Sequence, residues 1–328
     1  MTPVEITPWH WISFIACVLI FIALDLGAFH RRARVVKFRE AAAWSALWVA
    51  LAMAFALSMV FWHGRADAEA FTTGYVIELS LSLDNILVIA LIFAWFRVPL
   101  EFQHRLLFWG ILGALVMRGA MIAAGAALIH QFDWVLYVFG AFLVFAGAKM
   151  FLSKQEMVRP EKNLVLRLVR KLFPVAPDYD GQKFLTRLGG RFALTPLALV
   201  LVLVETTDLI FAVDSVPAVF SVTRKAFIVF TSNVFAIIGL RSMYFLLVGA
   251  LGYFRYLKIG LSVVLAFIGA KMLLDPHDHP PRWLQVEIPT SLSLLVVAAI
   301  LLISVALSVT AARREKAIRS RMNTDEHG

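Results

Sequence analysis

Nine apolar runs, each near the roughly 20 residues that carry a helix across a bilayer, constrain this chain more than any other feature. They fall near 11–29, 42–62, 72–96, 105–125, 133–152, 195–221, 226–248, 257–274 and 290–311. Lipid offers no partner to a backbone N–H or C=O, so a crossing run of this length must be helical. The expectation is an all-α polytopic membrane protein, one membrane domain over 1–328. An apolar content of 61% and a mean hydropathy of +0.81 exclude a soluble enzyme. No small-residue cleavage site follows Trp11–Phe29, so that run reads as a retained first helix. The single Cys17 excludes an internal disulfide and any zinc or redox centre built on cysteines.

The net charge of +9 would suit a nucleic-acid partner, but its distribution rejects one. Basic residues occupy alternate loops: Arg31, Arg32, Arg34, Lys37 and Arg39 after the first run, nine more within 153–193, and Arg313, Arg314, Lys316, Arg319 and Arg321 in the tail. The loops on the opposite side hold only Arg65, Arg224, Lys225 and Arg282. The positive-inside rule, with an odd number of spans, then predicts the N-terminus outside and the C-terminus in the cytoplasm. Within the cytoplasmic basic loop 153–193, Val165, Leu168, Val169, Leu172 and Phe173 recur at helical spacing opposite Arg167, Arg170 and Lys171. That pattern suits an interfacial helix on anionic lipid or a plain amphipathic packing helix, and the loop is large enough to dock protein partners.

Charge returns where lipid should forbid it. Glu78, Asp84 and Asn85 lie inside the third run, and Glu205, Asp208, Asp214 and Ser215 inside the sixth. An acid at mid-membrane costs about 2.5–3.5 kcal/mol on insertion scales, so such groups face a partner or a polar path. The two stretches align: Glu78 with Asp208, Asp84 with Asp214, Asn85 with Ser215. Arg118 then matches Arg241, and Gly147-Ala148-Lys149-Met150 matches Gly269-Ala270-Lys271-Met272. Residues 72–152 and 195–274 thus form two three-helix repeats, and the charge rule makes them inverted, with 1–71 and 275–328 as peripheral helices and tail. Inverted repeats place ion sites near the midplane between their halves.

Residues seven apart share a helix face, so Glu78 aligns with Asn85 and Asp208 with Ser215, while Asp84 and Asp214 point about 120° away. Pro217 frees the carbonyl of Val213, and unwinding there would bring Asp214 toward an ion. Carboxylate, amide, hydroxyl and carbonyl oxygens suit Mn2+, Mg2+ or Ca2+ and disfavour thiolate chemistry. Proton relay alone, or structural ion pairs with Arg118, Arg241, Lys149 and Lys271, are the competing roles. The arginines read either as counter-charges that compete with a metal or as fixed braces. Lys149 and Lys271 lie at run ends and suit snorkelling. Asn233 suits an interhelical hydrogen bond or the site itself. Asp25 is expected to pair with the Arg31–Arg34 cluster, and His277-Asp278-His279 reads as a solvated turn. No Ser-His-Asp set, P-loop or dinucleotide turn is present, which argues for a non-enzyme without ATP chemistry.

The stretches Glu78–Ile86, Gly110–Arg118, Phe139–Met150, Glu205–Phe220, Thr231–Arg241 and Gly269–Met272 resemble the TerC family, in its Alx-like branch, within the wider LysE-type transporter group. The resemblance covers Trp44 to about Leu273. It implies a bacterial inner-membrane protein of about nine spans that exports Mn2+ as its transported substrate, with the intramembrane acids as metal ligands. The family's name refers to tellurium resistance, which oxygen ligands do not explain directly. Two further functions compete with proton-coupled export: a membrane adaptor that delivers metal to secreted or membrane enzymes, and a structural scaffold without turnover.

Overall fold

The computed structural model describes residues 6–29, 38–152, 163–248, 256–275, 286 and 288–325. Arg31, Arg32, Arg34, Lys37, the His277-Asp278-His279 turn and the side chain of Asp25 lie outside them. The elements run α1 (Pro8–Phe29), α2 (Phe38–Trp62), α3 (Arg65–Trp95), α4 (Leu100–Gln131), α5 (Val135–Leu152), α6 (Leu164–Leu172), β1 (Leu185–Leu188), β2 (Arg191–Leu194), α7 (Pro196–Phe220), α8 (Ala226–Val248), α9 (Leu257–Leu274) and α10 (Thr290–Asp325). Among the described residues eight helices are long and apolar enough to cross a membrane, and α1 adds the shorter apolar stretch Pro8–Ala23. Together they occupy the nine apolar runs, as expected of an integral, multi-pass, all-α protein.

Boundaries differ where apolar content and helicity part company. Helix α4 begins at Leu100 and α3 at Arg65, each several residues before its apolar run. Helix α10 continues through the basic tail because Ala, Arg, Glu and Lys sustain a helix whether or not lipid surrounds it. Helix α7 runs unbroken through Pro217, so the expected unwinding beside Asp214 does not occur. Proline there costs only the Val213 carbonyl its donor, and the chain leaves the helix one turn later at Ser221.

The three-helix units interlock rather than stand side by side. Helix α3 packs on α8, and the matched pair α7 and α4 pack likewise, while α5 and α9 cross in the tightest contact of the fold. That crossing is made of small residues, which let helix backbones approach where lipid supplies no hydrophobic drive. A Cβ on Gly269 would lie 2.7 Å from the Gly140 carbonyl oxygen, and one on Gly147 would lie 2.7 Å from the Ser262 carbonyl oxygen. Under the sequence match Gly140 corresponds to Ser262 and Gly147 to Gly269, so the two approaches are one contact used twice. A two-fold axis between α5 and α9 would give this reciprocity. Helices α2 and α10 pack on the outside of this body, and α1 touches it lightly at α8.

One end of the body carries α6 and a hairpin that periodicity in the basic loop did not reveal. Strand β1 pairs antiparallel with β2, Leu185 opposite Leu194 and Leu188 opposite Arg191. The two-residue turn Gly189-Gly190 has φ of +55° and +82°, the double left-handed geometry that twisted hairpins require and glycine adopts freely. Tyr179, in the same segment, donates its hydroxyl to the Phe96 carbonyl at 2.9 Å and ties the segment to the α3–α4 turn.

At the opposite end the α7–α8 turn presents Arg224 and Lys225 side by side. Arg224 Nη1 donates to Asp133 Oδ1 at 2.8 Å, and Lys225 Nζ donates to both Asp67 oxygens at 2.8 and 2.6 Å. Each pair ties the second unit to the first. His63 Nδ1 lies 3.2 Å from Asp67 Oδ2. Burial lowers the His63 pKa below its ordinary 6.5; Lys225 and His10 push the same way, and Asp67 opposes them. The unfolded chain therefore takes up this proton near pH 6.5 while the folded protein holds out to lower pH, so acid favours unfolding in that window. The melting temperature of purified protein is expected to fall as pH drops through 6.5, and His63→Gln should flatten that slope. An unchanged slope in the variant would place the acid sensitivity elsewhere.

Candidate intramembrane acidic site

Four helices meet around Arg118 of α4, whose side chain is 1% exposed. It forms an ion pair with Glu78 of α3, itself fully buried. Its fork grips Asp208 of α7 through Nε to Oδ2 at 3.3 Å and Nη2 to Oδ1 at 3.0 Å. Nη1 donates to Ser215 Oγ at 3.2 Å and to Asn233 Oδ1 of α8 at 3.3 Å. The Asn85 amide fits with its oxygen accepting from Arg118 Nη2 at 3.1 Å and its nitrogen donating to the Leu81 carbonyl at 3.2 Å. Helical periodicity explains the membership: Glu78 and Asn85 share one face of α3, and Asp208 and Ser215 share one face of α7.

Asp84 and Asp214 lie off this centre, as their angular offset requires, and both are half-buried. Glu205 sits one turn before Asp208 on α7. Its Oε2 is buried without a hydrogen-bond partner, and its carboxylate fills the space that a Cβ on Gly113 of α4 would take. Lys271 does not snorkel: it is 4% exposed, with Nζ 3.8 Å from Asp275 Oδ2. These two residues line a polar cavity of about 780 Å³ that also meets Ser221, Thr223, Arg224 and Asp133. It opens at the end of the body that holds the Arg224 and Lys225 ion pairs.

The matched arginines take different roles. Arg118 holds both buried acids, whereas Arg241 Nη2 lies 3.2 Å from His104 Nδ1 of α4. One turn along α8, Tyr244 donates to Gln103 Oε1 at 3.0 Å. Gln103 and His104 escaped the sequence reading because they precede the apolar run that marked this helix. Gly113 carries no signal of its own; only the packing against Glu205 gives it meaning.

The donor set around Arg118 is all oxygen, two carboxylates with amide and hydroxyl groups, which fits a hard divalent cation. Among the described residues no group of three or more His, Cys, Asp or Glu is arranged to hold a metal. The reason is visible in the geometry. The Arg118 guanidinium lies where a cation bridging Glu78 and Asp208 would lie, and Asp84 and Asp214 are turned aside. Two carboxylates, Glu78 and Asp208, meet one guanidinium, and Glu205 lies one turn from Asp208 on α7 with an unpartnered oxygen.

The family described as integral membrane protein TerC matches residues 63–316. An uncharacterized membrane protein of Myxococcus xanthus is 48% identical over 307 residues, 94% of each chain. Proteins of Shigella flexneri and Escherichia coli K12, provisionally named membrane-bound redox modulator Alx, are 45% identical over 309 residues, 91% of this chain and 93% of theirs. No solved structure matches. With its apolar helices, its buried acids and relatives that match nearly end to end, the chain belongs to the TerC family of integral membrane proteins.

Proposed function

We propose that this protein is a secondary transporter that exports Mn2+ across the bacterial inner membrane, in exchange for protons. The observation that carries the reading is the convergence of Glu78 and Asp208 inside the lipid-embedded body with one guanidinium between them, and the orphaned Glu205 carboxylate one turn away on α7. Buried acids without a path or a partner are too costly to keep for packing alone. In this reading Arg118 is the competitor: a divalent cation displaces it from Glu78 and Asp208, and it closes on the acids again when the cation leaves. Protons taken up by the same carboxylates would discharge the site for the return step. Asp84 and Asp214, on either side of the centre, mark the route inward and outward. The basic end, with α6 and the hairpin, faces the cytoplasm, and the polar cavity beside Lys271 faces the periplasm.

Overproduction of the protein is expected to lower cellular manganese several-fold, and Asp208→Asn should abolish the effect while leaving the protein in the membrane. Elemental analysis of washed cells gives the answer, and unchanged manganese on overproduction would overturn the proposal. Purified protein in vesicles separates a transporter from an adaptor that hands metal to other enzymes, because an adaptor drives no flux of its own. A panel of Mn2+, Mg2+ and Ca2+ in the same vesicles defines the cargo, since these ions share ligand types and differ in the cavity size they need.

A further inference from the structure

Helix α6 is built to lie between two media. Its capping residue Asn163 accepts from the Leu166 amide at 3.0 Å, and Leu166 turns into the body, 2% exposed. Leu164, Val165, Leu168 and Leu172 turn away from it, and Leu164 is 75% exposed. These four positions span one flank of about 100° on a helical projection. Arg167, Arg170 and Lys171 fill the flank beside it and are all exposed. The hairpin repeats the composition. Leu188 and Phe192 are exposed, and the Arg187 guanidinium lies 5.3 Å from the centre of the Phe192 ring.

The level of α6 is set by what it touches. It packs on α7, and β2 leads within two residues into the first turn of α7 at Pro196. Both therefore sit where α7 leaves the apolar layer. Between 163 and 195 the chain carries six bases, Arg167, Arg170, Lys171, Lys183, Arg187 and Arg191, against two acids, Asp178 and Asp180. Asp180 is engaged locally: Thr186 donates to it at 2.8 Å and Lys183 at 3.2 Å, and these bonds hold its carboxyl below the usual range. The rest of the surface is open and positive. An apolar flank running beside a basic one, at the depth of a helix end, is the arrangement that inserts side chains into acyl chains while bases meet headgroups. A protein-docking patch would instead ring its apolar centre with polar groups of mixed sign.

We infer that α6 and the tip of the β1–β2 hairpin lie on the anionic headgroup layer of the leaflet at this end of the protein, with the Leu164, Leu168 and Leu172 side chains in the acyl region. This attachment is independent of the cargo carried by the acidic site. It gives the chain a lipid-sensitive element resting on the start of α7, the helix that carries Glu205 and Asp208.

Full-length protein carrying Cys17→Ser and Leu168→Cys, labelled with an environment-sensitive fluorophore, tests the inference. It is reconstituted in phosphatidylethanolamine vesicles with or without phosphatidylglycerol, each also containing doxyl-labelled lipid. The label is expected to report an apolar site and to be quenched in the phosphatidylglycerol vesicles. A label at Arg170→Cys should stay in water in the same vesicles. Each basic residue neutralised should shift the docked-to-free ratio about five-fold and each one reversed by more, so the combined Arg167→Glu, Arg170→Glu and Lys171→Glu variant should lose the quenching while eluting as the parent does. Water-like emission from position 168 in both vesicle types overturns the inference, and so does quenching that ignores phosphatidylglycerol. A label shielded in native membranes but watery in vesicles of purified protein would assign the surface to a protein partner.

Discussion

Arg118→Met is expected to lower the unfolding free energy of the detergent-solubilised protein by about 3–5 kcal/mol. The substitution keeps most of the side-chain volume, so what it removes is charge. Glu78, fully buried, and Asp208, 8% exposed, would then face one another without a counter-charge. Breaking a buried ion network costs far more than the network itself contributes, because the surviving ions remain out of water. The triple variant Glu78→Gln, Arg118→Met, Asp208→Asn should therefore recover most of the loss while remaining inactive in the proposed manganese export. Arg118→Lys should not rescue the wild-type behaviour, since an ammonium cannot serve two Asp208 oxygens, Ser215 and Asn233 in one plane. By contrast, removing the exposed Asp133–Arg224 pair, whose side chains are 59% and 48% exposed, should cost no more than about 1 kcal/mol. Denaturant melts of the four proteins settle the comparison. A loss below about 1 kcal/mol for Arg118→Met would mean that the acids are not held by charge.

The second large effect is steric. Gly269→Val is expected to abolish accumulation of folded protein, or to cost at least about 3 kcal/mol where some remains. Its Cβ would fall 2.7 Å from the Gly140 carbonyl oxygen, 2.7 Å from the Val144 amide nitrogen and 2.9 Å from the Leu143 Cβ. Two of those three atoms are backbone, which cannot rotate away, so α5 and α9 would have to separate along their whole crossing. Gly239→Ala in α8 serves as the contrast. The nearest atom to its Cβ is the Trp48 Cβ at 3.6 Å, an ordinary contact. It should be neutral or gain up to about 1 kcal/mol from the better helix propensity of alanine. Membrane-fraction yield and thermal aggregation of the two variants read the difference. Equal yields would show that the crossing is looser than its backbone distances indicate.

Much of this architecture was legible before any fold was known. Run lengths located the membrane helices because lipid imposes a minimum span and forbids unpaired backbone. A period of seven separated Glu78 and Asn85, and Asp208 and Ser215, from Asp84 and Asp214, and the structure keeps that division. The hairpin was written in Leu185-Thr-Arg-Leu-Gly-Gly-Arg-Phe-Ala-Leu194, where a two-glycine turn separates short strands, but a loop read by its charge conceals it. Pro217 misled because the rule for a proline inside a helix says nothing of how near the helix is to its end.

Local chemistry could say which residues share a face, and the matched pairs could say that two halves repeat. Neither could say which of two equivalent arginines would reach the acids. Arg118 and Arg241 hold corresponding places in the two repeats, yet one closes on Glu78 and Asp208 and the other meets His104. That choice belongs to the packing of α3, α4, α7 and α8, where contacts between residues on different helices and far apart in the chain decide which acids an arginine meets. Periodicity acts along one helix; the field inside the bundle is summed over four.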